Sequence, residues 1–333
     1  MEDETQNQNI EDTQPAEPPK KDYTLAISLL VSSLIFASAW VYTERLKIAD
    51  NARKTGITLG STQKSALEEK VLPTDGVVLP VKWRDLGAQL VSVGAIDEEK
   101  FTSLYDQRGQ FTEEYKKLLL GNSDDKLKIT EENAGYLLNL FWALGLANNN
   151  PILTSGEMSN KKYGGVGNFA STGGWILANG SPMEHYSRHE LFRLTPEQQS
   201  LVDTVSRGIY RPCCNNSTHF PDCNHGMAML GLLELMASQG ASEQDMYKAA
   251  LAVNSYWFPD TYVTIAAYMK NKGVEWKDVN PQEILGVNYS SASGYQWVAS
   301  QVEEPQQQRG GSGCGVETGQ TAEPTRQQGG CGV

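Results

Sequence analysis

Apolar and polar positions divide the chain into five stretches. Residues 1–22 (MEDETQNQNIEDTQPAEPPKKD) carry seven acidic and two basic side chains and almost nothing apolar. Such a segment cannot bury enough surface to fold, so it is expected to be a disordered acidic tail. No charged side chain then occurs from Tyr23 to Tyr42 (YTLAISLLVSSLIFASAWVY). At 1.5 Å rise per residue that run matches a hydrocarbon core of about 30 Å. Tyr23, Trp40 and Tyr42 fall at its ends, where interfacial aromatics belong. A single-pass membrane helix is expected at 23–43. Ala37-Ser38-Ala39 has the small-x-small form of a signal-peptidase site, so a cleaved signal is the alternative.

Residues 44–79 are polar and broken by Gly56, Gly60, Pro73 and Gly76, which reads as a linker. From 80 to 302 helical punctuation dominates. Asp97 precedes a helix over Glu98–Tyr105, and Thr130 precedes EENAGYLLNLFWALGLA, with apolar residues at helical spacing. Ser181-Pro182-Met183-Glu184 and Thr195-Pro196-Glu197-Gln198 have the form of capping boxes with Pro at the first helical position. Ser242 and Asn280 repeat the arrangement more loosely. Gly240 and Gly273 stand where helices would end. Strand-like alternation is scarce. The expected fold is mostly α: a membrane helix, then an irregular all-α globular domain over 80–302 with long loops, then a disordered tail at 303–333. That tail holds an imperfect repeat, QQRGGSGCGV and QQGGCGV, which sets Cys314 and Cys331 among glycines.

The glycines of KKYGGVGNFASTGGW, within the irregular stretch 148–180, do not make a phosphate loop. The Gly-Lys-Ser/Thr ending is missing and no strand precedes them. A loop packing Tyr163, Phe169 and Trp175 is expected, forming a wall of whatever site the domain holds.

Chemistry concentrates in one loop, 211–226. RPCCNNSTHFPDCNH holds three of the five cysteines and two of the four histidines. Cys213, Cys214, His219, Cys223 and His225 are the thiol and imidazole ligands that Zn²⁺ and Cu(I) select. Adjacent cysteines do not easily share one ion, so one of Cys213 and Cys214 is expected to bind and the other to assist. HGMAMLGLLELMAS follows as a buried helix, so Cys223 and His225 sit at a helix N-terminus, which favours a thiolate. Met227 and Met229 are core residues or, as thioethers, Cu(I) ligands. The other two histidines, His185 and His189, are four apart. On a helix they would share a face and give a weaker candidate ligand pair. C-x-x-C-H is absent, which removes covalent haem. A Cys213–Cys223 or Cys214–Cys223 disulfide is the structural alternative, and a reactive thiol pair is a third.

Pro212-Cys213-Cys214, His219, Asp222-Cys223 and His225-Gly226, followed by a helix and GASEQDMYKAAL, resemble bacterial exported proteins named for a PCYCGC motif. The likeness covers 212–251, and the repeated C-x-C of that motif is absent here. What the resemblance implies is a metal- or thiol-bearing surface protein.

The net charge of −12 and the lack of a basic stripe argue against nucleic acid as a partner. Lys20 and Lys21 precede the span while Arg45, Lys47, Arg53 and Lys54 follow it. Charge counting puts the domain in the cytoplasm, whereas long domains translocate largely regardless of such charges. The expectation is a cell-membrane protein with its large domain outside. It would bind Zn²⁺ or Cu(I) through the Cys/His loop, with Cys314 and Cys331 capturing or passing on the ion and a metal-donor or redox protein as partner. Thiol–disulfide relay and a disulfide-stapled interaction domain remain as alternatives. No catalytic order of residues stands out. An enzyme would need an open zinc position, with Glu184 or Glu190 as base.

Overall fold

The linker expected at 44–79 ends in ordered structure, since from Ala66 onward the chain packs on the domain. The computed structural model describes residues 66–302, Arg108 excepted. Within it Ala66–Val71 is already helical (α1), and Val71 and Leu72 are buried. The expected tail at 1–22, the membrane span at 23–43 and the segment 303–333 with Cys314 and Cys331 lie outside the described residues. Among the described residues no helix is long and apolar enough to cross a membrane.

The all-α expectation needs one correction. Val77–Arg84 (β1) pairs antiparallel with Ser123–Ile129 (β2), Val77 opposite Ile129. Leu79, Val81 and Trp83 alternate into the core, while Pro80 faces out, where its missing N–H is harmless. The period of two was present in VVLPVKWR, and the proline hid it. Between the strands lie Leu86–Ser92 (α2), Glu98–Asp106 (α3) and Glu113–Leu120 (α4). Asp97 caps α3 by accepting from the Lys100 backbone N–H, as its position predicted.

The centre is a pair of helices. Ala134–Ala147 (α5) is buried nearly all round, the pattern of an interior helix rather than an amphipathic one. Short pieces follow: Pro151–Ser155 (α6), three 3-10 turns between Glu157 and Asn168, and Ala170–Gly173 (α7). Pro196–Gly208 (α8) carries a complete capping box between Thr195 and Gln198. Asn224–Ser238 (α9) is the second interior helix and crosses α5 at glycines. A Cβ on Gly145 would lie 2.1 Å from the Met227 carbonyl oxygen, and one on Gly231 would lie 2.4 Å from that of Phe141. Glu243–Trp257 (α10), Pro259–Asn271 (α11), Pro281–Leu285 (α12), Val287–Ser290 (α13) and Ala292–Ala299 (α14) complete the domain.

The helix expected after Ser181 does not form. Ser181 caps only the 3-10 turn Pro182–Glu184. Ser187 then takes a left-handed φ of 52°. Its backbone N–H goes to the Leu146 carbonyl and that of His189 to the Ala147 carbonyl. These are the carbonyls that a helix C-terminus leaves without partners, so the end of α5 claims the segment.

Candidate metal centre

The Cys/His loop is held from several sides. The Tyr210 N–H reaches the Leu285 carbonyl, and the His219 N–H reaches that of Ser206. Ala292 N–H donates to the Cys214 carbonyl. The Asn215 carboxamide oxygen accepts from both the backbone and the hydroxyl of Ser293. The loop therefore bonds to α8 and to the α12–α14 region before it enters α9, whose first turn follows Cys223 directly. Tyr163, Phe169 and Phe220 meet edge-to-face at 5.4–5.5 Å, so the irregular stretch does form one wall of the loop.

Arg211 organises its interior. The side chain is 2% exposed and lies against the first turn of α9, where a Cβ on Gly226 would come within 2.6 Å of the guanidinium carbon. Only glycine allows that approach. The guanidinium donates to Cys223 Sγ at 3.0 Å, to the carbonyls of Asn216 and Phe220, and to the buried Asp222 carboxylate. The second Asp222 oxygen accepts from the Asn216 carboxamide at 2.8 Å. The ion pair is thus fully hydrogen-bonded, the condition under which buried charge is tolerated.

Beyond this pair lie the soft ligands. Cys213 Sγ is 3.6 Å from Cys223 Sγ, and all three loop cysteines are free. That spacing is near the roughly 3.8 Å edge of a tetrahedron of thiolates 2.3 Å from zinc. His225 is buried with neither ring nitrogen in a hydrogen bond of ordinary geometry, and its ring lies against Phe258 at 4.4 Å and Trp257 at 5.7 Å. Cys213, Cys223 and His225 bring their ligand atoms within 4.8 Å of one another. A second grouping, Cys214, Asp222 and Cys223, meets the same distance and shares Cys223.

The three thiols are electrostatically unequal. Burial works to raise Cys223, but hydrogen bonding with Cys213 and Cys214, the Arg211 charge and His225 outweigh it and hold this thiol well below its ordinary value. Cys213 is pushed well above its ordinary value, first by hydrogen bonding to Cys214, then to Cys223, then by burial. The hydrogen bond between Cys214 and Cys213 works downward on Cys214, yet its bond to Cys223 and burial prevail and push it up to about 11. Of the three, Cys223 is the thiol whose surroundings most favour the thiolate.

Not every expected ligand joins. His219 is buried outside the grouping, its Nε2 2.7 Å from Asp203 Oδ1 and 2.8 Å from Arg207 Nη2. His185 and His189 bond to each other, Nδ1 to Nε2, at 3.0 Å, and His185 Nε2 meets the Asn179 carbonyl at 2.8 Å. That pairing consumes the His185 nitrogens, and no helix presents the two side by side. Neither histidine belongs to the ligand groupings, so a site shared with the cysteines is not formed. Glu190 is paired with Arg193. Met227 and Met229 are core residues. Nothing in the sequence marks Arg211, two residues before the first cysteine, as part of the site. Asp222, beside Cys223, was read only as part of the motif.

Fold and site together define a class: a mostly helical domain in which two overlapping groupings, Cys213, Cys223 and His225 and Cys214, Asp222 and Cys223, have ligand spacing that could hold a metal ion. No family model, curated protein or solved structure matches the chain.

Proposed function

We propose that this chain is a membrane-anchored, extracytoplasmic metal-binding protein that holds Zn²⁺ or Cu(I) through Cys213, Cys223 and His225. The supporting observation is His225, a buried imidazole with neither nitrogen in a hydrogen bond of ordinary geometry, beside two thiols 3.6 Å apart. Buried polar groups ordinarily have partners, and an ion would supply this one. The anchor rests on the apolar run 23–42, and Cys314 and Cys331 supply exchangeable ligands for ion transfer. Full-length protein purified anaerobically should carry about one equivalent of metal per chain by mass spectrometry, as a single three-ligand grouping requires. Metal-free protein with reduced thiols would sink the reading.

A thiol–disulfide relay is the second reading, favoured by one observation: Cys223 Sγ lies 3.6 Å from Cys213 Sγ in surroundings that lower the Cys223 thiol. It predicts metal-free protein in which a disulfide donor oxidises Cys213 and Cys223 as a pair.

A further inference from the structure

A concavity of about 470 Å³ opens on the α11–α14 side of the domain, within the roughly 300–1,000 Å³ typical of small-ligand sites. Its aromatic side is Tyr268, Tyr289 and Trp297. Trp83, Trp142, Trp175 and Trp257 are buried in the core, whereas Trp297 is 52% exposed. Its indole packs edge-to-face on Tyr268 at 5.6 Å, which fixes its orientation before any ligand arrives. Val287 adds an exposed apolar side chain, and polar groups line much of the rest. Lys272 Nζ sits 4.8 Å from the centre of the Tyr268 ring, and Glu283 accepts from the Tyr289 hydroxyl at 3.2 Å. Asn288 and Ser293 complete the lining.

We propose that this concavity is a binding site for a neutral saccharide. A cationic ligand would have to displace the Lys272 ammonium from the Tyr268 face. An anionic ligand would meet the Glu283 carboxylate. One ammonium and one carboxylate leave the lining without net charge, which suits a neutral ligand. A preset, exposed indole suits the flat C–H face of a pyranose ring. The surrounding carboxylate, ammonium, carboxamide and hydroxyl match the outward ring hydroxyls as acceptors and donors. A purely apolar ligand would leave these groups without partners, which disfavours it. The site is independent of the metal reading, although Ser293 also bonds Asn215 of the Cys/His loop.

The test is binding of maltotriose, cellotriose and chitotriose to the full chain in a non-glycosidic detergent, read by tryptophan fluorescence and saturation-transfer NMR. At least one triose should bind. Trp297→Ala should weaken it about 2- to 12-fold, as loss of one aromatic stacking partner does, while Trp297→Phe keeps most of the affinity. Binding is compared well below each variant's unfolding midpoint, which separates lost binding from lost folding, and Trp297→Phe, which keeps an aromatic ring against Tyr268, should leave that midpoint nearly unchanged. Failure of all three trioses to bind, or wild-type affinity in Trp297→Ala, overturns the proposal.

Discussion

Arg211 is a cation that a protein cannot deprotonate, and it already serves two members of the outer ligand grouping. Its N–H groups go to Cys223 and to Asp222. A metal ion at Cys214, Asp222 and Cys223 would have to compete with that guanidinium. One at Cys213, Cys223 and His225 shares only Cys223 with it. The thiol and histidine variants should therefore divide. Cys213→Ser, Cys223→Ser and His225→Gln should each lower metal affinity by more than the 10–100-fold typical of changes outside the ligand shell, whereas Cys214→Ser should stay within about that range. Competition against a chelator of known affinity measures it. Equal losses in all four would mean that Cys214 is a full ligand. Glu234 offers a second residue-scale test. It is fully buried on α9 and accepts from the carboxamides of Asn148 and Asn150 at 2.7 and 2.9 Å. Both amides are oriented, because the Asn148 oxygen accepts from Leu191 and Phe192 and the Asn150 oxygen from Ile152 and Gln199. Burial, against the two carboxamide hydrogen bonds, raises the Glu234 carboxyl well above 4.5. The folded state then holds the proton that the unfolded state releases. Its contribution is fully present below 4.5 and is lost as pH rises through the folded value. A pH series of unfolding free energies should show this decline, and a valine or glutamine at 234 should remove it.

At the scale of elements, the interior pair α5 and α9 was legible because both runs are apolar on every side and too long for strands. The caps at Asp97, Thr195, Ser242 and Asn280 were legible because a short oxygen side chain before a helix has one local use. The closeness of the two interior helices was not. Gly145 and Gly231 are far apart in sequence, and only packing shows that each faces the other's backbone. Gly231→Ala should cost roughly 1–3 kcal/mol through overpacking, although alanine is the better helix former, and urea unfolding measures it. A neutral or stabilising result would mean that the helices separate without penalty. The capping box at Ser181 misled for a related reason. Its local signal is real, and Ser181 does bond to the Met183 N–H, but the open carbonyls of α5 offered the next residues a better partner. Within the site, Cys213, Cys223 and His225 could be read from ligand density. Their separation from His219 could not, because it depends on Asp203 and Arg207 of α8.

For the whole molecule the position of the loop matters more than its length. Its backbone bonds to α8 through Ser206, to α12 through Leu285 and to the start of α14 through Ala292, and it runs directly into α9. An ion held by Cys213 and Cys223 would close a link between the loop and the interior helix, so opening the loop would mean releasing the ion. Binding to the folded state alone adds about 2.7 kcal/mol when free metal is 100 times its dissociation constant. For a domain of this size that corresponds to a rise of about 5–11 °C in Tm. Thermal unfolding of the reduced protein with and without zinc should show that rise, and a chelator should reverse it. Cys214→Ser should keep it, while His225→Gln should lose it. The histidine variant is the sharper control, because a metal bound adventitiously at the half-buried thiols Cys213 and Cys214 would still raise Tm when His225 is gone.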